Sequence, residues 1–477
     1  MKKKILTLLI ALAALTATFG LTACGAHEHC YNIKTVVAPT CTEKGYTLYE
    51  CACGASYKDD VILAKGHSLT DYVCTVCGEP DPKQLDSSGL VFKLNADGES
   101  YTVASRGAVA GRIIKIPASY QGKPVTAIGE KAFEHNSFIE YVLIPTTVTK
   151  IGAGAFRDSE SLKNITLPKG VTEVSDSAFL WCNSLANVNL PDGIKKIGDS
   201  AFYWDYNLKS IKIPNGVTEI GFRAFEGCES LADITMPENA VNIDRTAFLN
   251  CGYYDDESNW DGGVLYIGEH LIKVKETLAG VCNIKEDTLS VAAWAFYTCK
   301  NVMKITVPQS VKFIGKSAFR ECENLRKAEL ACGLKSIEND TFRSCLNLKK
   351  IILPEGITSI GDYAFTECSE LEEITIPKGV TKIGLNAFQY CASLKSLTVP
   401  EGITEINDYA LSYCEALNAL TLPKSLMRIG EGALSGCLAL SEINYAGSAS
   451  QWYDMEKGVF WNGNTGEYKV YCNDGTL

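Results

Sequence analysis

The chain has 477 residues, of which 21% are charged and 46% hydrophobic, with a formal net charge of −11 at pH 7. That acidic balance argues against binding to nucleic acid or to an anionic membrane surface, since both need a basic footprint. The length exceeds that of an ordinary single-core domain, and a repeat array has no single core to outgrow, so one long module with attachments is expected.

The first 24 residues read as a targeting segment. Lys2, Lys3 and Lys4 form a basic start, Ile5 to Leu15 is an apolar stretch, and Leu21-Thr22-Ala23-Cys24 closes it with small residues before a cysteine. This resembles the lipobox of bacterial lipoprotein signals, which implies a signal peptide over residues 1–23, a lipid on Cys24 and an extracytoplasmic chain beyond. The alternative is an uncleaved anchor, because residues 5–23 are nearly long enough to span a bilayer.

Residues 24–80 form a Cys/His-rich module. His27, His29 and His67 gather here with Cys30, Cys41, Cys51, Cys53, Cys74 and Cys77. So short a segment cannot bury a stable apolar core and needs a metal or disulfide staple. Cys74-Thr-Val-Cys77 has the gap that lets two thiolates reach one tetrahedral zinc ion, and Cys51-Ala-Cys53 is a weaker pair. The string PTCTEKGYTLYECACG, with the following GH and CTVCG, resembles small Cys/His modules ahead of repeats in bacterial surface proteins. The resemblance makes a structural zinc site drawn from Cys41, Cys51, Cys53, His67, Cys74 and Cys77 plausible, with His29 a further candidate. Three disulfides are the alternative, which an extracytoplasmic location permits. A site closed by four protein ligands is structural, not catalytic.

Residues 81–89 read as a polar linker, and residues 90–132 as an N-terminal cap with a first repeat. Leu90–Leu94 and Ser100–Ala104 alternate around Asn95-Ala-Asp-Gly98, the pattern of a β-hairpin. A hairpin suits the start of an array whose first unit would otherwise expose its apolar end. Gln121-Gly-Lys-Pro124 is inserted within the first repeat.

From there the chain repeats. Taking the aromatic of an "AF" pair as marker, Phe133, Phe156, Phe179, Phe202, Phe225 and Phe248 are spaced by 23, as are Phe296, Phe319, Phe342, Phe365, Phe388, Leu411 and Leu434; the one step of 48 joins the two runs. A constant period means a solenoid whose units bury their apolar faces on one another. The regular repeats span residues 133–251 and 291–440, and residues 252–290 hold a degenerate repeat with an insert hairpin, expected to protrude. In the unit Leu348 to Glu370, Leu348, Ile351 and Leu353 point inward from a short strand that Pro354 ends. Ile357 and Ile360 bury a second extended stretch, and Ala364-Phe365 is expected on a helical turn.

Ten repeats carry cysteine three residues after the marker: Cys182, Cys228, Cys251, Cys299, Cys322, Cys345, Cys368, Cys391, Cys414 and Cys437. In register these read as a ladder of reduced, buried thiols acting as small hydrophobes, with no metal; disulfides between stacked units, about 5 Å apart, are the alternative. The sentence LxxIxIPxxVTxIGxxAFxxC resembles the BspA-like (Treponema-type) leucine-rich repeat family over about residues 85–477. The resemblance implies an α/β-type repeat solenoid of 23-residue units, a C-terminal cap over 441–477, and surface binding or adhesion to protein or glycan on a host or neighbouring microbial surface.

Two faces are candidates for that binding. The outward strand positions, thirteen before each marker, are Leu143, Thr166, Asn189, Lys212, Thr235, Thr306, Glu329, Ile352, Thr375, Thr398 and Thr421, a hydroxyl-rich ladder that β-propensity alone could also produce. Trp181 and Trp204 share a phase two past the marker, with Tyr203, Tyr206 and Phe222 beside them, and form an aromatic patch on a rim. Tyr253, Tyr254 and Trp260 lie further on, and packing beneath the insert is the competing reading for the aromatics. An enzyme has little to draw on: no G-x-S-x-G elbow, phosphate-binding loop or H-E-x-x-H helix is present, and only His135 and His270 lie outside the Cys/His segment. Alternatives to a binding protein are an envelope spacer and a metal-capture lipoprotein.

Overall fold

The computed structural model describes residues 31–38, 44–52, 55–62, 69–70, 73–74 and 85–477. The chain divides into two compact units, Met1–Lys83 and Gln84–Leu477. In the first, Tyr31–Val37, Gly45–Cys51 and Ser56–Ile62 form an antiparallel sheet. Tyr49 faces Tyr57 across it with ring centroids 5.1 Å apart, a cross-strand aromatic pair of the kind that fixes register in a small sheet.

The second unit is the solenoid. Each regular repeat lays down two short strands that pair in parallel with the same strands of its neighbours, a whole unit away. Lys350–Ile352 pairs with Glu373–Thr375, and Ser359–Ile360 lies between Ser336–Ile337 and Lys382–Ile383. The alternation of a strand explains the burial: Ile351 and Leu353 are at most 4% exposed, whereas Ile352 between them is 70% exposed. Ile360 of the second strand and Ile357 in the turn before it close the core. All eleven phenylalanine markers are buried, and neighbouring rings within each run lie 5.1 to 5.4 Å apart, close to the spacing of paired strands.

The segment around each marker is a run of tight turns where a helical turn was expected. Tyr363 and Glu367 have φ of 57° and 63°, which rotates alternate peptides out of the local chain. The Phe365 N–H consequently donates to the Ala387 carbonyl of the next unit at 2.8 Å instead of to a carbonyl four residues back. Left-handed backbone costs a non-glycine residue about 1–2 kcal/mol. The intermolecular-like ladder that it creates between units offsets this, giving the array a third line of backbone bonds beside its two sheets. Among the described residues the helices are Gly252–Asp255, Glu257–Asn259 and Ala449–Asp454.

Both ends are covered. Val91–Leu94 and Tyr101–Ser105 form the expected hairpin, whose second strand pairs in parallel with Lys123–Ile128. Part of the stretch read as linker is structured: Leu85–Asp86 pairs with Ile113–Ile114, and the Gly111 N–H donates to Asp86 Oδ2 at 3.1 Å. At the other end Ser448 and Gln451 make a reciprocal capping box that starts Ala449–Asp454 and delivers Trp452 into a cluster with Tyr445, Trp461 and Tyr468.

The hairpin of the degenerate repeat does not protrude. Trp260–Asp261, Val264–Ile267 and His270–Val274 form an antiparallel sheet whose central strand is buried throughout. Val264 and Tyr266 pack with the following repeats and Leu265 and Ile267 with the preceding ones, so the alternating faces of one strand serve two cores. His270–Leu271 then pairs in parallel with Ser290–Val291 and restores the second sheet. His270 is fully buried, with Nδ1 2.8 Å from Ser290 Oγ and Nε2 3.1 Å from the Pro237 carbonyl. The carbonyl can only accept, so Nε2 carries the proton and Nδ1 accepts from the serine hydroxyl. Burial pushes its pKa below the ordinary histidine value, which keeps the ring neutral.

Candidate binding faces

The first-strand face carries the hydroxyl ladder, and its two halves differ. Thr166, Asn189 and Thr235 are all exposed, but the Asn189 amide donates to Thr166 Oγ1 at 3.1 Å, so part of the ladder satisfies itself. Glu329 is held between Lys304 at 3.1 Å and Lys327 at 2.7 Å, and hydrogen bonds from Lys327 and then Lys304 hold its carboxyl down at about 2. Further along, Thr375, Thr398 and Thr421 line a groove of about 830 Å³ walled by Pro377, Pro400 and Pro423. Glu355, Glu373 and Glu401 with Lys378 set its charge, so this part of the face is polar and mildly acidic.

The turn rim holds the aromatics. Two residues per unit, two before and two after the marker, have positive φ, as in Ser177 (54°) and Trp181 (61°) or Ser200 (55°) and Trp204 (60°). This conformation turns their side chains out of the core. Trp204 is 39% exposed, while Trp181, Tyr203 and Tyr206 are half-buried beside it. Tyr203 stacks on Trp204 at 5.3 Å, and Tyr206 lies at 6.1 Å. Arg157 sits 6.0 Å from the Trp181 ring and Arg223 5.6 Å from Tyr203, cations over aromatic faces. Gly227 makes room for this arrangement: a Cβ there would come 1.7 Å from Trp204 Cδ1. The indole therefore leans over the next unit. Tyr253, Tyr254 and Trp260 belong elsewhere, since Trp260 Nε1 donates to the Tyr254 carbonyl at 2.9 Å and the two rings meet edge to face under the insert.

A second aromatic pair was missed by reading the sequence. Tyr390 and Tyr413 occupy the same phase as Trp181 and Trp204, stack at 4.8 Å and are 44% and 42% exposed. Tyr413 also leans over a glycine, Gly436, where a Cβ would meet its ring at 2.8 Å. The repeated phase was the available signal.

The cysteine ladder faces inward and is closed to chemistry. Cys368 Sγ lies 3.2 Å from the Phe342 carbonyl, and Cys345, Cys391, Cys414 and Cys437 repeat that contact, so each thiol caps a marker carbonyl. None of the ten is disulfide-bonded. Burial pushes these thiols up, Cys251 to about 11 and Cys437 to about 12, which keeps them protonated and unreactive. Asp205 stands in the same register, fully buried. Its Oδ1 accepts from the Cys182 N–H at 2.7 Å, Oδ2 has no partner, and burial holds its carboxyl well above the usual range.

Of the residues expected to bind metal or lipid, Cys24, Cys41, Cys53, His67 and Cys77 lie outside the described residues. Cys51 ends the strand Gly45–Cys51, and Cys74 ends Val73–Cys74, which pairs with Leu69–Thr70. Among the described residues no group of three or more His, Cys, Asp or Glu could hold a metal ion, and no helix is long and apolar enough to cross a membrane. His135 pairs with Asp158 at 2.5 Å on the exposed rim.

The repeats match the model of the BspA type leucine rich repeat region in six copies, over residues 126–254, 275–392 and 335–465. The unmatched stretch between the first two falls on the buried hairpin. Among solved structures, a leucine rich cell surface protein from Faecalibacterium prausnitzii A2-165 is 28% identical, with 78% of this chain and 97% of that one covered and a TM-score of 0.33. A leucine-rich repeat protein from Bacteroides ovatus is 25% identical, with 81% and 99% covered and a TM-score of 0.34. The leucine rich repeat protein of T. pallidum is 19% identical, with 65% and 89% covered and a TM-score of 0.20. No curated protein matches the chain. The period, the two strand phases and the family match agree, and the chain belongs to the BspA-type leucine-rich repeat family.

Proposed function

We propose that the protein is a non-enzymatic binding protein of the bacterial surface, anchored through a lipid on Cys24, whose repeat array takes up a protein or glycan partner along its turn rim. The observation that carries this reading is the pair of exposed aromatic stacks. Trp204 over Gly227 and Tyr413 over Gly436 are fixed by positive φ and by a glycine in the next unit, so they offer rigid contact area with little entropy left to lose. The Thr375–Thr398–Thr421 groove supplies polar contacts on a second face. A cell-surface relative at 28% identity supports the location.

The test is saturable binding of the purified chain to an array of glycoproteins and free glycans, with Trp204→Ala and Tyr413→Ala compared. Loss of about tenfold or more in affinity in either variant, with thermal stability kept, supports the rim. Binding that neither variant weakens removes the rim from the reading, and no saturable binding at all leaves the array a spacer. For the Cys/His module we propose a structural zinc staple, supported by the Cys74–Cys77 spacing. Native mass spectrometry should find one zinc per chain; cysteines already paired, without metal, would make it a disulfide-held module.

A further inference from the structure

The turn ladder has one missing rung. The N–H of every other marker donates to the unit that follows: Phe225 to Ala247 at 2.7 Å, Phe296 to Ala318 at 2.8 Å, and the last, Leu434, to Trp461 of the cap at 2.7 Å. Phe248 finds no such acceptor, nor do the N–H groups of Thr246 and Asn250 on either side of it. The cause is the degenerate repeat, which supplies a buried hairpin and a strand for the second sheet but no marker turn.

What stands in place of that turn is a pocket of about 270 Å³ between the two arrays. The backbone of Thr246 to Leu249 forms one wall. Lys273 of the hairpin, Trp294 and Tyr297 of the following unit, and Tyr254 of the insert form the others. Besides the Asp244 carboxylate and the hydroxyls of Tyr254 and Tyr297, the polar side chains lining it are Thr246, Lys273 and Arg245, all able to donate. Thr246 Oγ1 is buried with no partner, and the Lys273 ammonium, which has three donors, uses one on the Trp294 carbonyl at 3.3 Å. Burial pushes the Lys273 pKa down, as expected for an ammonium short of counter-charge. The Asp244 carboxylate also lines the pocket, but both of its oxygens are engaged, Oδ2 by Lys316 at 2.7 Å and Oδ1 by the Arg245 N–H at 2.6 Å. Unused N–H groups, a hydroxyl and a cation on an aromatic wall call for an acceptor-rich ligand with an apolar body.

We propose that this vacant rung is a binding site for a small carboxylate bearing one ring. Its carboxylate replaces the carbonyls that a regular unit would present to Thr246 and Phe248 and pairs with Lys273, and its ring packs against Trp294 and Tyr297. The site lies at the break in the rim, apart from the aromatic stacks at Trp204 and Tyr413, and does not depend on the function proposed for them.

Phenylacetate is the probe, titrated into the full-length chain by calorimetry and followed by tryptophan fluorescence. The expected result is one saturable site with a Kd of about 1 mM or tighter. Lys273→Met should weaken it at least about tenfold. As a readout on the unmodified chain, phenylacetate should protect Lys273 from acylation by acetic anhydride while exposed lysines react as before. Phenethyl alcohol, which lacks the charge, and inorganic phosphate, which lacks the ring, should each bind far more weakly; either one binding as well as phenylacetate overturns the proposal. So does the absence of saturable binding, or acylation of Lys273 that the ligand leaves unchanged.

Discussion

The array before the break and the array after it are built from the same unit, yet they order themselves differently. From Phe133 to Phe248 the marker rings stack within 8° of parallel. After the break the first pair, Phe296 and Phe319, is tilted by 51°, the next by 26°, and only then do the rings settle to 4° and 1°. A unit evidently takes its geometry from its neighbour, and two units are needed to regain what the missing turn removed. That is nearest-neighbour behaviour, the mark of a quasi-one-dimensional fold. The residue three past the marker differs as well. It runs Asn136, Ser159, Cys182, Asp205, Cys228, Cys251 before the break and is cysteine in every unit after it.

The sharpest way to break this comparison is to remove a ring. Phe365→Ala, in the settled part of the second array with rings on both sides, should cost about 3–5 kcal/mol in urea unfolding. Phe248→Ala, which has a stacked ring on one side only, should cost measurably less. Equal losses would mean that neighbours do not set the stack.

Asp205→Cys closes the gap in the thiol ladder between Cys182 and Cys228 and should raise stability by about 1–3 kcal/mol. The pH dependence gives a sign. The native carboxyl is neutral with a raised pKa, so unfolding releases a proton above about pH 4, the range of an unfolded aspartate. Stability of the native chain therefore falls as pH rises from there toward the folded value, and thermal melts of Asp205→Cys between pH 4 and 7 should lack that slope.

His270 gives the opposite sign at the break. Its native pKa is lowered, so below about pH 6.5 unfolding takes up a proton that the folded ring refuses. Stability should decline as the solution is acidified through that range, by about 1.4 kcal/mol per pH unit at most. His270→Gln, which keeps one donor and one acceptor, should remove that dependence without changing the melts of the two arrays at neutral pH. Persistence of the acid slope would place its origin elsewhere.

The smallest expected effect is on the rim. Gly227→Ala should cost about 1 kcal/mol for its φ of 75° and also displace Trp204, shifting tryptophan fluorescence. Gly402→Ala, with φ of 96° but only a distant Thr381 methyl beside it, should cost a similar amount and leave the fluorescence unchanged.

Much of the fold was legible because a solenoid repeats its instructions. The 23-residue period, the inward set of Leu348, Ile351, Leu353, Ile357 and Ile360, the capping hairpin around Asn95-Ala-Asp-Gly98 and the thiol ladder all follow from patterns that local chemistry enforces unit by unit. The rim was half legible: Trp181 and Trp204 stood out by type, while Tyr390 and Tyr413, at the same phase, did not.

The remainder was decided between units. A sequence fixes which residues recur, but Phe365 N–H turns to Ala387 and not back along a helix because an acceptor waits in the neighbouring repeat. The hairpin at Val264–Ile267 is apolar on both faces, and only the presence of a core on each side makes it buried and not protruding. The vacant rung beside Phe248 likewise belongs to no single segment. It exists because a ladder needs a partner at every step, and at one step the chain supplies strands without the turn.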